Sequence, residues 1–194
     1  MQPVGSLRAA ALAALGTCAV ALGGCASGQA TGGAPLESEE AVREGLFHDL
    51  GGLDYKVFLT RQLNLRDPED RDYFQGPEAP PGSTYYGVFI QVCNYGDRSA
   101  GSARTMKIID TQGEEFEPIE LPRRNIFAYR PGRLAPKECI PNEVSIAATG
   151  PTGGALLVFL IPQAAQENRP LELEIEGAYD AEGERQAQAF ELDI

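Results

Sequence analysis

Tyr85-Tyr86-Gly87-Val88-Phe89-Ile90-Gln91-Val92-Cys93 is the stretch that decides the fold class. In an extended chain successive side chains point to opposite faces, so Val88, Ile90 and Val92 share one face and Tyr85, Phe89 and Cys93 the other. A strand with one wet face alternates apolar with polar residues. This one is apolar on both faces, which predicts a central strand covered from two sides.

Working outward, the same period of two recurs. Leu53, Tyr55, Val57 and Leu59 alternate with Asp54, Lys56 and Thr60, and only Phe58 breaks the pattern. A long loop rich in Asp, Glu, Pro and Gly follows, Arg66 to Ser83. Ala103 to Asp110 reads as a strand ending at the turn Thr111-Gln112-Gly113. Phe116 to Leu121 reads as a short strand that Pro118 confines to an edge or bulge. Val144 to Ala148 is a further strand candidate, and Ala155 to Ile161, wholly apolar, is expected to be central. Leu171, Leu173 and Ile175 alternate with Glu172, Glu174 and Glu176, as Phe190, Leu192 and Ile194 do with Glu191 and Asp193, giving two strands with one wet face each. Short strands separated by Gly and Pro turns, without a long amphipathic helix, imply an all-β protein built as an antiparallel β-sandwich.

The amino terminus carries a different message. After Arg8, residues Ala9 to Leu22 form an apolar run broken only by Gly16, Thr17 and Cys18, too short for a bilayer span, which needs about 20 residues. Its length suits the hydrophobic region of a signal peptide, with Gly23 and Gly24 small enough for a peptidase to approach the backbone. Leu22-Gly23-Gly24-Cys25 resembles the lipobox of bacterial lipoproteins, and the resemblance implies cleavage after residue 24 and acylation of Cys25. More than one acyl chain gives stable anchoring where a single chain does not. The expected organisation is a signal peptide over 1–24, a lipidated terminus and flexible tether over 25–52, and a β-sandwich domain over 53–194. Ala26 to Pro35, made of small and polar residues, is the flexible part. The expected location is the cell membrane, lipid-anchored on its extracytoplasmic side.

Composition narrows the function classes. The chain has 28 acidic and 16 basic residues, of which Arg8 alone lies in the leader, so the net charge of −12 becomes −13 once residues 1–24 are removed. Such a domain repels nucleic acid, and no nucleic-acid partner is expected. With Cys18 in the leader and Cys25 acylated, Cys93 and Cys139 remain as one pair, expected to be bonded outside the cytoplasm. The bond restricts the unfolded chain by about 4 kcal/mol in the loop-entropy picture. A bond from a central strand to a later segment suits an immunoglobulin-like sandwich, although the absence of Trp removes the Cys-Trp-Cys core of antibody domains.

Tyr85 to Asn94, then Ile109-Asp110-Thr111-Gln112-Gly113 with Phe116 and Pro118, and Leu157-Val158-Phe159-Leu160-Ile161-Pro162, are similar to the telokin-like, immunoglobulin-like domain of many bacterial lipoproteins of unknown function. The resemblance spans roughly residues 53 to 178 and implies a lipid-tethered sandwich. It carries no catalytic residues to transfer.

Chemistry-bearing residues are sparse. His48 is the only histidine and lies ahead of the first clear strand, so a Ser-His-Asp or Cys-His catalyst is not expected, nor a metal site or a cofactor. Glu172, Glu174 and Glu176 share one strand face, where like charges favour solvation over an acid-base pair. Asp67, Glu69, Asp70 and Asp72 are interrupted by Arg66 and Arg71 and read as a charged loop. The compositional anomaly is Leu121 to Lys137, where Arg123, Arg124, Arg130, Arg133 and Lys137 occur with no acidic residue and with Phe127 and Tyr129 among them. Arginine beside aromatics is the chemistry of interface anchors and anion recognition. The opposing expectation is that these cations pair internally and the aromatics pack. The resulting expectation is a non-enzymatic binding or interaction module of the cell envelope, with an envelope protein or anionic ligand as partner. The alternatives are a carboxylate-dependent hydrolase acting on cell-wall sugars and a structural spacer.

Overall fold

The computed structural model of the chain describes residues 40–179 and 185–194. The leader, Cys25 and the small-residue part of the tether lie outside the described residues. In chain order the elements are β1 (Val42–Arg43), β2 (Phe47–Leu50), β3 (Leu53–Leu63), α1 (Pro68–Tyr73), β4 (Ser83–Cys93), β5 (Ala100–Gly101), β6 (Thr105–Ile109) and β7 (Glu115–Phe116). They continue with β8 (Arg133–Leu134), β9 (Cys139–Ile140), α2 (Ile146–Thr149), β10 (Ala155–Pro162), β11 (Glu172–Tyr179) and β12 (Arg185–Glu191).

Among the described residues, one five-stranded sheet has the order β1-β12-β11-β6-β7, a second has β10-β4-β3-β2 with β9 continuing beside β4, and β5 and β8 form a separate two-stranded antiparallel sheet. Pairing is antiparallel except for β1 against β12. The two larger sheets meet over one core, where Val57, Val88, Ile90, Phe159 and Ile161 of one pack with Ile108, Leu173, Ile175 and Phe190 of the other. This is the β-sandwich that the alternating strands imply.

β4 is covered twice. Its Val88, Ile90 and Val92 face the opposite sheet, while Tyr85 and Phe89 enter a second core with Leu63, Tyr73, Phe74, Leu121, Leu156 and Val158. That second core is roofed by the α1 loop and by residues 119–128, so the β4 sheet is the middle of three layers over half its length. α1 holds its place through Asp67, which caps the first turn by accepting from the Glu69 amide at 2.9 Å. Asp70, buried, accepts from Arg61 at 2.6 Å and from the Asn64 amide at 2.7 Å. The acidic loop residues therefore fasten the roof to β3.

Phe58 interrupts its strand for a geometric reason. The register of β3 on β4 slips between Val57 and Leu59, which makes Phe58 the extra residue of a β-bulge. Its ring turns outward over Gly153, where a Cβ would sit 2.9 Å from the ring and force it to shift. The β2–β3 hairpin closes on Gly51 and Gly52, at φ +66° and +78°, the paired left-handed geometry of a tight hairpin turn.

Several expectations change. The folded domain begins ahead of Leu53: β1 and β2, placed in the tether over 25–52, are strands of the two sheets. Glu44 accepts from the Thr60 amide at 2.7 Å and the Asp193 amide at 3.0 Å, joining the two sheets. The candidate strand Val144 to Ala148 is instead the short helix α2, capped by Ser145, whose hydroxyl accepts from the Ala148 amide. Of the Phe116 to Leu121 candidate only Phe116, with Glu115 before it, is in a strand, and the chain leaves the sheet before Pro118. β10 ends its sheet where a central place was expected, and its apolar character reflects burial beneath loop backbone, described below.

Candidate functional site: a groove roofing the β4 sheet

Cys93 and Cys139 are bonded. They are directly opposed on β4 and β9 with Cα atoms 4.1 Å apart. The bond ties neighbours within one sheet, unlike the inter-sheet bond of antibody domains, and it pins the start of the segment leading to α2.

The basic segment is pulled in two directions by the fold. Its backbone runs along the free edge of β10: the Leu156 amide donates to the Phe127 carbonyl at 2.7 Å, and the Tyr129 amide to the Leu156 carbonyl at 2.9 Å. Nearby, the Ile119 amide donates to the Val158 carbonyl at 2.7 Å. These bonds cover an edge that would otherwise offer unpaired backbone groups to another chain.

Tyr129 points into the main core. Its hydroxyl donates to the Ala103 carbonyl at 2.7 Å, while the Ala103 amide donates to the Tyr55 hydroxyl at 2.7 Å. Burial pushes both phenols above their ordinary range. Tyr129 is therefore a core residue and not part of a binding surface. Arg130 donates to the carbonyls of Leu121 and Pro122 at 2.9 and 2.6 Å, closing its own loop. Arg133, on β8, donates to the Ser99 carbonyl at 3.4 Å and lines a separate polar cavity with Gly51, Gly52, Gly96, Asp97 and Arg98. The six residues singled out by composition are thus not one constellation.

Arg124 and Phe127 stay together, and the fold adds partners from elsewhere. Phe127 packs edge-on against Tyr73 of α1 with ring centroids 4.9 Å apart, and Tyr73 in turn against Phe89 at 5.2 Å. Asn125 stitches the two roof segments: its amide donates to the Tyr73 carbonyl at 2.7 Å, and its oxygen accepts from the amides of Phe127 and Ala128. Between the segments lies a groove of about 380 Å³ lined by Asp72, Gln75, Pro122, Arg124, Asn125, Ile126, Phe127 and Ile146. Arg124 is exposed in this lining, and Arg123, its chain neighbour outside the lining, is exposed too. Ile126 and Ile146 are 66% and 63% exposed. Two large aliphatic side chains facing water across one groove are a better mark of a binding surface than scattered single residues.

Nothing in the periodicity of the sequence brings Asp72 of α1, Gln75 just beyond it and Ile146 at the start of α2 to Arg124, since these short helices and the loop are far apart in the chain. Ile126 carries one local signal, an aliphatic residue in a loop beside two arginines.

The carboxylates serve the fold where partners are seen. Lys107 lies 3.1 Å from Glu174 and 2.8 Å from Glu115, and the hydrogen bond to Glu115, with the smaller contribution of Glu174, raises its pKa. Glu176 pairs with Arg185. Two of the three glutamates expected to be solvated are therefore ion-paired on the sheet face. Glu172 opposes Glu191 across β11 and β12, and burial followed by the charges of Glu191 and Glu174 raises its pKa. Asp54 opposes Asp49 on the hairpin and is raised by burial and then by Asp49, against the lowering effect of His48. Among the described residues no three His, Cys, Asp or Glu side chains gather as a metal site. Among them, too, no helix is long and apolar enough to cross a membrane.

No family model matches the chain, and no curated protein matches it. Solved structures do. A candidate lipoprotein, ycdA, of Bacillus subtilis is 8% identical with a TM-score of 0.44, over 79% of this chain and 39% of that one. The chain thus spans about two fifths of the length of that protein. An uncharacterised β-sandwich protein of Clostridium difficile is 9% identical with a TM-score of 0.42, over 81% and 98% of the two chains. A functionally unknown protein of Listeria monocytogenes is 8% identical with a TM-score of 0.45, over 79% and 85%.

Proposed function

We propose that this chain is a lipid-anchored, extracytoplasmic interaction module without catalytic activity, and that it engages an envelope partner through the groove between α1 and residues 122–127. The observation that carries the reading is that Ile126, Ile146, Phe127 and Arg124 line one groove. An apolar floor supplies contact area, and an arginine at the rim selects a carboxylate or other anionic group by charge-assisted hydrogen bonds. The fitting partner is a polypeptide segment that presents an apolar side chain next to an acidic one. Acylation of Cys25, implied by Leu22-Gly23-Gly24-Cys25, would hold the module at the membrane where such partners reside. The tethered immunoglobulin-like sandwich of the resembling lipoproteins belongs to the same proposal.

A photoreactive residue at position 126 tests it in intact cells. It is expected to crosslink to a discrete envelope protein, and Arg123→Glu with Arg124→Glu to abolish the adduct at an unchanged melting temperature, since exposed reversals alter stability by about 0.5 kcal/mol or less. An adduct that persists undiminished in the double variant moves the site elsewhere. Arg130 is unsuited to this test because its guanidinium closes the loop.

A further inference from the structure

A second group of exposed apolar side chains lies away from the groove. Phe47 of β2 and Tyr95, just past β4, meet edge-on with centroids 6.5 Å apart. The Lys56 ammonium sits 5.1 Å from the ring centroid of Phe47 and 5.1 Å from that of Phe58. Leu46 adjoins Phe47 in the chain. Leu46, Phe47, Phe58 and Tyr95 are 57%, 46%, 41% and 65% exposed. Register places Phe47 opposite Lys56 on the side of the β4 sheet that faces away from the main core, since their neighbours Leu50, Leu53, Tyr55 and Val57 point into it. The bulge matters here: as the extra residue of β3, Phe58 turns its ring outward beside Lys56.

We infer that this patch lies against the lipid surface to which the chain is anchored, with the rings of Phe47, Phe58 and Tyr95 at headgroup depth and Lys56 among the phosphates. The inference rests on acylation at Cys25. Its second support is where the chain joins the domain. The Leu46 amide donates to the Arg43 carbonyl and the Gly45 amide to the Val57 carbonyl, so the patch begins within a few residues of Val42, where the first strand starts. Residues 26–39 separate Cys25 from Glu40, and fourteen residues cannot span more than about 50 Å. An anchor on so short a leash keeps this end of the sandwich at high local concentration next to the bilayer, where a patch too weak to bind membranes by itself is occupied. The chemistry agrees: rings with a polar edge, such as Tyr95, and a long-stemmed cation are the side chains that settle at a membrane interface. Asp49 and Asp54, opposed on the same hairpin, disfavour a strongly anionic surface and favour zwitterionic headgroups.

The full chain, purified in its acylated form, tests this after return to phosphatidylcholine vesicles that contain a photoactivatable phosphatidylcholine. Vesicles are floated, illuminated and the protein digested. Adducts are expected to concentrate in the peptides holding residues 44–58 and Tyr95. Phe47→Ser with Tyr95→Ser is expected to lower their yield about tenfold, with flotation and melting temperature unchanged, because two interfacial rings are lost and the acyl chains remain. Tyr95→Ser alone, at the most exposed ring, gives a smaller drop and serves if the double variant folds poorly. Protein that floats without adducts in these peptides, or with an undiminished yield in the variants, overturns the patch alone. A covalent dimer through residues 44–58 in place of lipid adducts assigns the patch to a second copy and also overturns it. Protein that does not float overturns the anchor, and the patch with it.

Discussion

The two sheets of this sandwich solve the same problem with opposite resources. The β4 sheet is buried on both faces over half its length, with Phe89 and Val88, neighbours on one strand, both fully inaccessible. The β11 sheet buries one face and lines the other with Glu174, Glu176, Lys107 and Arg185 in cross-strand ion pairs. The first arrangement gains from area removed from water and tolerates no loss of volume. In the second, the ion pairs are partly solvated and each is worth little. The groove follows from this contrast: it lies between the loops that roof the second face of the β4 sheet.

The sharpest way to break the contrast is Phe89→Ala. It empties the second core under Tyr73 and is expected to cost about 3 to 5 kcal/mol in denaturant unfolding, against less than about 1 kcal/mol for Glu174→Ala on the other sheet. Equal costs would mean that the loop layer is not a true core. Next in size is Cys93→Ala with Cys139→Ala, expected to cost about 2 to 5 kcal/mol, with the loss read as a lower unfolding midpoint that reducing agent reproduces in the unaltered chain. A midpoint unmoved by reduction would show that the β4 sheet does not depend on the bond.

The smallest effect sharpens the other side. Glu172 has its folded pKa raised above the usual 4.5, so the folded state holds that proton more tightly than the unfolded state, and the ionised carboxylate is a penalty. Stability from this group is intact below pH 4.5 and declines as pH rises through the folded pKa. Glu172→Gln is therefore expected to raise stability at neutral pH by about 0.5 kcal/mol or less, an advantage that disappears on acidification. An advantage that grew on acidification would reverse the assignment.

How much of this could be read from residues alone varied along the chain. Alternation in β3 and β11 and continuous apolar runs in β4 and β10 are local signals, so these strands are legible, and so is the anomaly at Phe58, although only the register shows it to be a bulge. The polar start of β12, Arg185-Gln186-Ala187-Gln188, masked its strand character, since Gln188 is buried by hydrogen bonds to backbone carbonyls and not by hydrophobicity. α2 was misread because four residues are too few to display a helical period, and its cap, Ser145, acts through one hydrogen bond.

The candidate site divides along the same line. Composition by itself marked Leu121 to Lys137 as unusual and named Cys93 and Cys139 as the remaining pair, because charge counts and cysteine parity need no geometry. What each cation does was decided by the path of irregular backbone. That path sends Tyr129 inward to Ala103, uses Arg130 to close a loop, carries Arg133 to another cavity, and leaves Arg124 beside Ile126 and Ile146. A strand's pattern repeats every two residues and can be read in place, whereas a loop's course is set by single hydrogen bonds to distant partners, such as Asn125 to Tyr73 and Leu156 to Phe127, which no local sequence period encodes.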